Sequence, residues 1–319
     1  MTGIFLPDDR SVVGRLRSLA AGLEAAGYTS IWSGEVGNTD AVVPAALTAA
    51  GTTSTGVAAV LNVYTRAPTA LAMSAATLAD AAPGRCAIVL GASSPLFVER
   101  WNGIPFRRPV ARVNDVVRFL RHALAGERVQ GDFETITTSG FRLQQAPAEP
   151  PALLVAASSP NMTRLAVTEA DGVVINWVSA ADVERLAELP SDRSRVTMLV
   201  VVCPVDDRAA MDAVARPLVA SYLVAPAYAG VQRRVGRGPA LTAMWEAWDR
   251  GDAPGARRAL PDAVLDELIV WGRPSECASR LAGIRRDTGA RVVTMALLPD
   301  GVTFEEAAHA YAPGAALAT

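Results

Sequence analysis

The chain alternates short apolar runs with longer segments whose apolar positions recur at helical spacing. The runs are GIFL (3–6), SIWS (30–33), VAAVL (57–61), CAIVLG (86–91), LLVAA (153–157), VVIN (173–176), TMLVVV (197–202) and VVTMALL (292–298). Runs that stay apolar on successive residues, instead of alternating, mark strands covered on both faces. Between them, residues 12–26, 42–53, 69–81, 110–124, 162–169, 181–189, 209–223 and 275–288 carry helical patterns. Gly27 after the first and Pro274 before the last are boundary signals. Strand and helix alternating in this way predict an α/β fold of the (β/α)8 TIM barrel kind.

Two connections are too long for plain βα units. Residues 126–151 place short alternating segments around Gly131 and Gly140, which predicts a hairpin. Residues 225–272 carry Trp245, Trp248 and Trp271 among glycines and arginines. A connection of that length usually has structure or function of its own. It is expected to be a helical insertion that covers the barrel mouth or makes a subunit contact. Residues 1–319 thus read as one barrel domain with two insertions. The rival fold, a doubly wound sheet, needs a GxGxxG turn, and the first βα turn here is LPDDRS.

Composition narrows the function classes. A net charge of −2 gives no electrostatic case for nucleic acid or an anionic membrane. All thirty basic residues are arginine, so a lysine Schiff base is excluded. Cys86, Cys203 and Cys277 form no CxxC pair, which suggests buried apolar thiols and neither a disulfide framework nor a thiolate metal site. No apolar run reaches the ~18 residues of a membrane span, and TGIFLP lacks the features of a signal peptide. The expectation is a soluble cytoplasmic protein acting on a small molecule.

In such a barrel, function collects at the carboxyl ends of the strands. Those positions read SGEVGNTD, NVYTR, GASSP, AASSPNMTR and NWVS, rich in small and hydroxylic residues and poor in acid–base groups. They favour a large ligand held through backbone amides over a hydrolytic triad. In AASSPNMTR, small residues permit close backbone approach, and Pro160 opens a helix whose unpaired N–H groups favour an anion. An ordinary serine helix cap is the alternative.

Several stretches, in order, carry a family resemblance: AAGYTSIWSGE, VLNVYTRAP, APGRCAIVLGAS, GIPFRRPVARVNDVVRFLRHALAGE, PALLVAASSPNMTRLAVTEADGVVIN and GRPSECASRLAGIRRDTGARVV. The chain resembles the luciferase-like monooxygenase superfamily, and within it the branch that depends on coenzyme F420, a deazaflavin, with methylenetetrahydromethanopterin reductase-like enzymes nearest. The resemblance implies hydride transfer to or from a small organic substrate, with FMN-dependent monooxygenation as the alternative and a non-catalytic barrel as a third. It implies a bulged third strand with a non-prolyl cis bond at Ala59–Val60 beneath the ring, and Asn62 at the ring's polar edge. Gly91, Ala92, Ser93 and Ser94 would line the other side. Ala156, Ala157, Ser158 and Ser159 would hold the phosphate-bearing chain, with Asn176 and Trp177 bordering the cavity. Where the family pattern has an acid followed by histidine, this chain has Glu35 and Val36. His122 and His309 fall within helical segments away from the mouth. Glu35 is therefore the candidate for proton transfer, or else a loop carboxylate paired with an arginine. Arg233, Arg234 and Arg237 would meet an acidic substrate or cofactor tail, or simply face solvent. A homodimer is the family habit.

Overall fold

The apolar runs become strands, and all eight are parallel around a closed ring. The structure, a computed structural model, describes residues 2–35 and 37–314. The strands are β1 (Thr2–Phe5), β2 (Ser30–Gly34), β3 (Gly56–Asn62), β4 (Cys86–Gly91), β5 (Val129–Gln130), β6 (Ser139–Phe141), β7 (Ala152–Ala156), β8 (Gly172–Asn176), β9 (Val196–Cys203), β10 (Ile269–Trp271) and β11 (Arg291–Ala296). The barrel runs β1-β2-β3-β4-β7-β8-β9-β11 and closes where β11 pairs with β1. Closure rules out the doubly wound sheet.

The helices are α1 (Leu16–Ala25), α2 (Val42–Ala49), α3 (Pro68–Ala81), α4 (Pro109–Leu124), α5 (Pro160–Glu169), α6 (Ala180–Val183), α7 (Arg208–Leu223), α8 (Pro226–Arg234), α9 (Gly238–Asp249), α10 (Ala253–Ala259), α11 (Asp262–Leu268), α12 (Pro274–Thr288) and α13 (Phe304–Ala310). Proline opens α3, α4, α5 and α12 at a position where its missing N–H has no helical partner to lose. Gly289, at φ +66°, stops α12 in a left-handed cap.

Three helices differ from the expected spans. Residues 10–15 form a 3-10 turn before α1. The α2 helix ends early because Gly51 lies against the Arg17 backbone, where a Cβ would come within 2.3 Å of the carbonyl oxygen. The segment 181–189 yields only the single turn of α6, opened by a Ser179–Asp182 capping box, after which the chain continues in i→i+3 turns to Leu189.

The first long connection contains the expected hairpin, β5 antiparallel to β6. Asp115 of α4 anchors it by accepting from Thr135 N (2.6 Å) and Oγ1 (2.7 Å). The second long connection holds α8 to α11 and then β10, a short strand beside the last residues of β9. Its apolar faces pack on α7 through Leu241, Met244 and Leu265 against Met211 and Val219.

Alternation along each strand divides the core. Ala59 and Leu61 face out toward the helices, while Ala58 and Val60 face in. The interior is filled by Trp32, Ala58, Val89, Leu154, Val174 and Val293, all buried. Burying each of the larger chains contributes roughly 1.5–3 kcal/mol. The barrel is a packed core, so a ligand can lie only across its upper end.

Candidate active site

Small and half-buried residues form the floor at that upper end. Phe5, Val60 and Ala156 lie over the interior layer and are each partly exposed. Gly34 leaves room for the Phe5 ring: a Cβ there would sit 2.6 Å from Phe5 Cζ and 3.6 Å from Val60 Cβ. On the neighbouring strands, a Cβ at Gly91 would meet the Ala156 methyl at 3.7 Å. The floor is apolar, and it is low because two of its inward positions are glycine.

Asn62 stands at the end of β3, two residues beyond Val60 and so on the same inward side. It is 5% exposed. Its Oδ1 accepts from Tyr64 N at 2.8 Å, but its Nδ2 is buried with no partner among the described residues. A bare buried donor costs about 1–3 kcal/mol, which a ligand acceptor would recover.

The expected cis bond is corrected. No peptide bond among the described residues is cis. Ala59 and Val60 pair in unbroken register with Ser33 and Gly34 on one side and Ile88 and Val89 on the other, and a continuous ladder requires ordinary trans linkages. The Ala59 side chain faces the helices and cannot touch a ligand at the mouth; Val60 can. Ala157 behaves like Ala59: its methyl joins the outer core, and Ala156 is the inward residue.

Glu35 is held by arginine. Arg66 Nε donates to its Oε1 at 2.6 Å, and the Arg66 guanidinium also pairs with Asp40. Burial opposes the charge of Arg66, but its two carboxylate partners outweigh that and raise its pKa. The other Glu35 oxygen accepts from Asn62 N at 3.5 Å. Glu35 thus braces the loop that carries Asn62. Val36 lies outside the described residues. His122 pairs with Glu127 at 2.5 Å on α4, and His309 lies on α13, both away from the floor.

At the end of β4 and just past it, Gly91 and Ala92 are half-buried and Ser93 is exposed in a left-handed backbone conformation, φ +62°. Ser94 accepts from Phe97 N at 3.4 Å and opens the π-helical turn Leu96–Trp101. Beyond β7, Ser159 caps α5, its hydroxyl accepting from Met162 N at 3.3 Å. That leaves its proton free to donate. Arg234 of α8 reaches the Ser158 carbonyl at 3.4 Å.

The helical insertion meets the mouth on one side, at β7 and β8. Asn176 donates through Nδ2 to Tyr228 Oη at 3.2 Å, and burial raises the Tyr228 pKa. Trp177, at φ +57°, packs on Tyr222 at a tilt of 36° with ring centres 4.7 Å apart. Its carbonyl accepts from buried Gln232 Nε2 at 2.7 Å. Gln232 accepts in turn from Arg237, which is bound to Asp182 (2.6 Å) and Glu267 (2.6 Å). Arg237 therefore neither faces solvent nor is free for a ligand. Arg233 lies over the Trp245 ring at 4.2 Å. The sequence marked none of Tyr228, Gln232 or the role of Arg237, because each acts on residues distant in sequence, Tyr228 and Gln232 on the end of β8 and Arg237 on Asp182 and Glu267. Phe5 could have been found by carrying the alternation to the end of the first run.

A closed parallel barrel with a packed interior and an apolar floor at the strands' carboxyl ends is the (β/α)8 architecture. The chain belongs to the luciferase-like monooxygenase family, whose family model matches residues 1–291. It is 27% identical over 293 residues to a Mycobacterium tuberculosis protein provisionally named a coenzyme F420-dependent oxidoreductase, covering 80% of this chain and 82% of that one. It is 28% identical over 237 residues to the 5,10-methylenetetrahydromethanopterin reductase of Archaeoglobus fulgidus, covering 70% of each. In fold it matches the coenzyme F420 dependent tetrahydromethanopterin reductase of Methanopyrus kandleri with a TM-score of 0.76 at 18% identity, covering 98% of this chain and 96% of that one.

Proposed function

We propose that this protein is a coenzyme F420-dependent oxidoreductase that moves a hydride between the deazaflavin and a small organic substrate. The observation that carries the reading is the Asn62 amide, buried and half unpaired above an apolar floor of Phe5, Val60 and Ala156. A flat heterocycle needs that combination: an apolar surface for its face and a donor for its polar edge. The name of the Mycobacterium tuberculosis relative points to the same cofactor.

The residues present fit such a group. Asn62 would donate to the ring, and Gly91 and Ala156 would leave room beside it. Ser158, Ser159 and the amino end of α5 would receive the phosphate, with the Arg234 guanidinium alongside. The cofactor, when bound, supplies the hydride chemistry; the protein's part is to hold it and exclude water. Glu35, braced by Arg66, serves in this reading to position Asn62. The protein is read as one cytoplasmic barrel domain acting as a homodimer, a state that sedimentation equilibrium tests.

Equilibrium titration with F420 and with FMN is the deciding experiment, followed by Ser159→Asp and Ala156→Trp. Aspartate still caps a helix but repels a phosphate, so the fold is expected to persist while F420 affinity falls about 10-fold or more. Ala156→Trp fills the floor and is expected to abolish binding. Tighter binding of FMN, with oxygen from air incorporated into product, would overturn the assignment in favour of a flavin monooxygenase. Binding of neither cofactor would leave a non-catalytic barrel.

A further inference from the structure

A second hollow lies beside the mouth, outside the strand ends. It encloses about 330 Å³ between Tyr64 of the β3–α3 loop, Ile104, Arg107 and Arg108 of the loop before α4, Arg112 of α4 and Glu134 of the hairpin. That volume is in the range of small-molecule pockets. Three guanidiniums face it and one carboxylate.

The three arginines are not equally committed. Arg108 pairs with Glu134 and holds a left-handed backbone conformation, φ +53°. Arg112 spends its hydrogen bonds on carbonyls, Nε to Val63 O (3.1 Å) and Nη1 to Thr135 O (2.9 Å), and lies 5.8 Å over the Tyr64 ring. Carbonyls orient the guanidinium without cancelling its charge. Asp115, behind it, is occupied by Thr135. Arg107 is exposed, and its side chain has no hydrogen-bond or ion-pair partner among the described residues; its backbone is used, the N–H donating to Pro105 O at 3.1 Å and the carbonyl accepting from Tyr64 Oη at 2.6 Å. The hollow therefore has a net positive rim.

Its wall is apolar and aromatic. Tyr64 packs against Phe106 with ring centres 5.2 Å apart, and Ile104 completes that side. An inorganic ion would leave this surface uncovered. We propose that the hollow is a binding site for a small organic carboxylate, its carboxylate met by Arg107 and Arg112 and its apolar body set against Tyr64 and Ile104. Tyr64 N donates to Asn62 Oδ1, so an occupant touches the loop that carries the buried amide at the mouth. The inference goes beyond the cofactor assignment and does not depend on it.

The test is calorimetric titration of the full chain, with no cofactor added, using benzoate and its neutral isostere benzamide. Benzoate is expected to bind saturably and about 10-fold or more tighter than benzamide, since charge-assisted hydrogen bonds carry the difference. Arg107→Gln is expected to weaken benzoate about 10-fold with an unchanged melting temperature, whereas Ser159→Asp at the mouth leaves benzoate binding intact. Equal binding of the two probes, no saturable binding of benzoate, or loss in Ser159→Asp but not in Arg107→Gln would each overturn the site. An F420 titration run in parallel reads the mouth separately, so failure of one assignment is not failure of the other.

Discussion

Asn62 uses one half of its amide within the protein and leaves the other half bare. Asn62→Asp keeps an oxygen for Tyr64 N and removes the donor. Circular dichroism is expected to show an unchanged fold, and F420 affinity is expected to fall about 10-fold or more, since the lost donor is replaced by a charge. Glu35 invites the opposite kind of test. Its bond to Arg66 is mostly buried, so Glu35→Gln is expected to lower stability by about 1 kcal/mol in a urea titration. At this scale what the sequence made legible is position: Asn62 and Gly91 end β3 and β4, as the apolar runs predict. Ala59 and Ala157 turn their methyls to the outer core, because one step along a strand turns a side chain from the mouth to the helices, so only their backbone faces the mouth.

Among the elements, α8 and the end of β8 are joined by a run of buried polar groups: Trp177 carbonyl, Gln232, Arg237 and Asp182. Buried networks of this kind are costly when half made. Gln232→Leu leaves the carbonyl without a donor and Arg237 with one acceptor fewer, and is expected to cost about 2–4 kcal/mol in chemical unfolding. Gly51→Ala is expected to cost about 1–3 kcal/mol, since its new methyl meets the Arg17 backbone and not a movable side chain; the melting temperature reads that change. The eight barrel strands and the hairpin were visible as patterns. Strand β10 was not, because IVW follows α11 without a break and gains its identity only from β9 beside it.

For the whole molecule, titration behaviour follows from burial and from one loop. Cys86, Cys203 and Cys277 are buried, and burial pushes their thiols up to about 12, 11 and 12. A thiol reagent at pH 8 is expected to count none of them in the native protein and all three after unfolding. Glu24 accepts from the backbone N–H groups of Ser54, Thr55 and Thr53, which pull its pKa from 4.5 down to about 2. A carboxylate depressed in the folded state stabilises it fully above its unfolded pKa, and that contribution disappears as pH falls from 4.5 toward 2. Glu24→Gln is therefore expected to melt earlier than the wild type at pH 6, with the two curves converging near pH 2. The overall architecture was legible because βα alternation is a property of the whole chain. The side-chain partnerships that build the mouth were not, because they join distant segments.

The tie between α8 and β8 also bears on traffic. Lifting the insertion away would part Arg237 from the buried Asp182 carboxylate and strip Trp177 of its donor at once, too steep a toll for every turnover. That flank is a fixed wall. Molecules exchanging with the barrel top must come and go over the opposite bank, past the serines after β4 and the Tyr64 loop, so the slowest step of a catalytic cycle would be sought in the movements of those two segments.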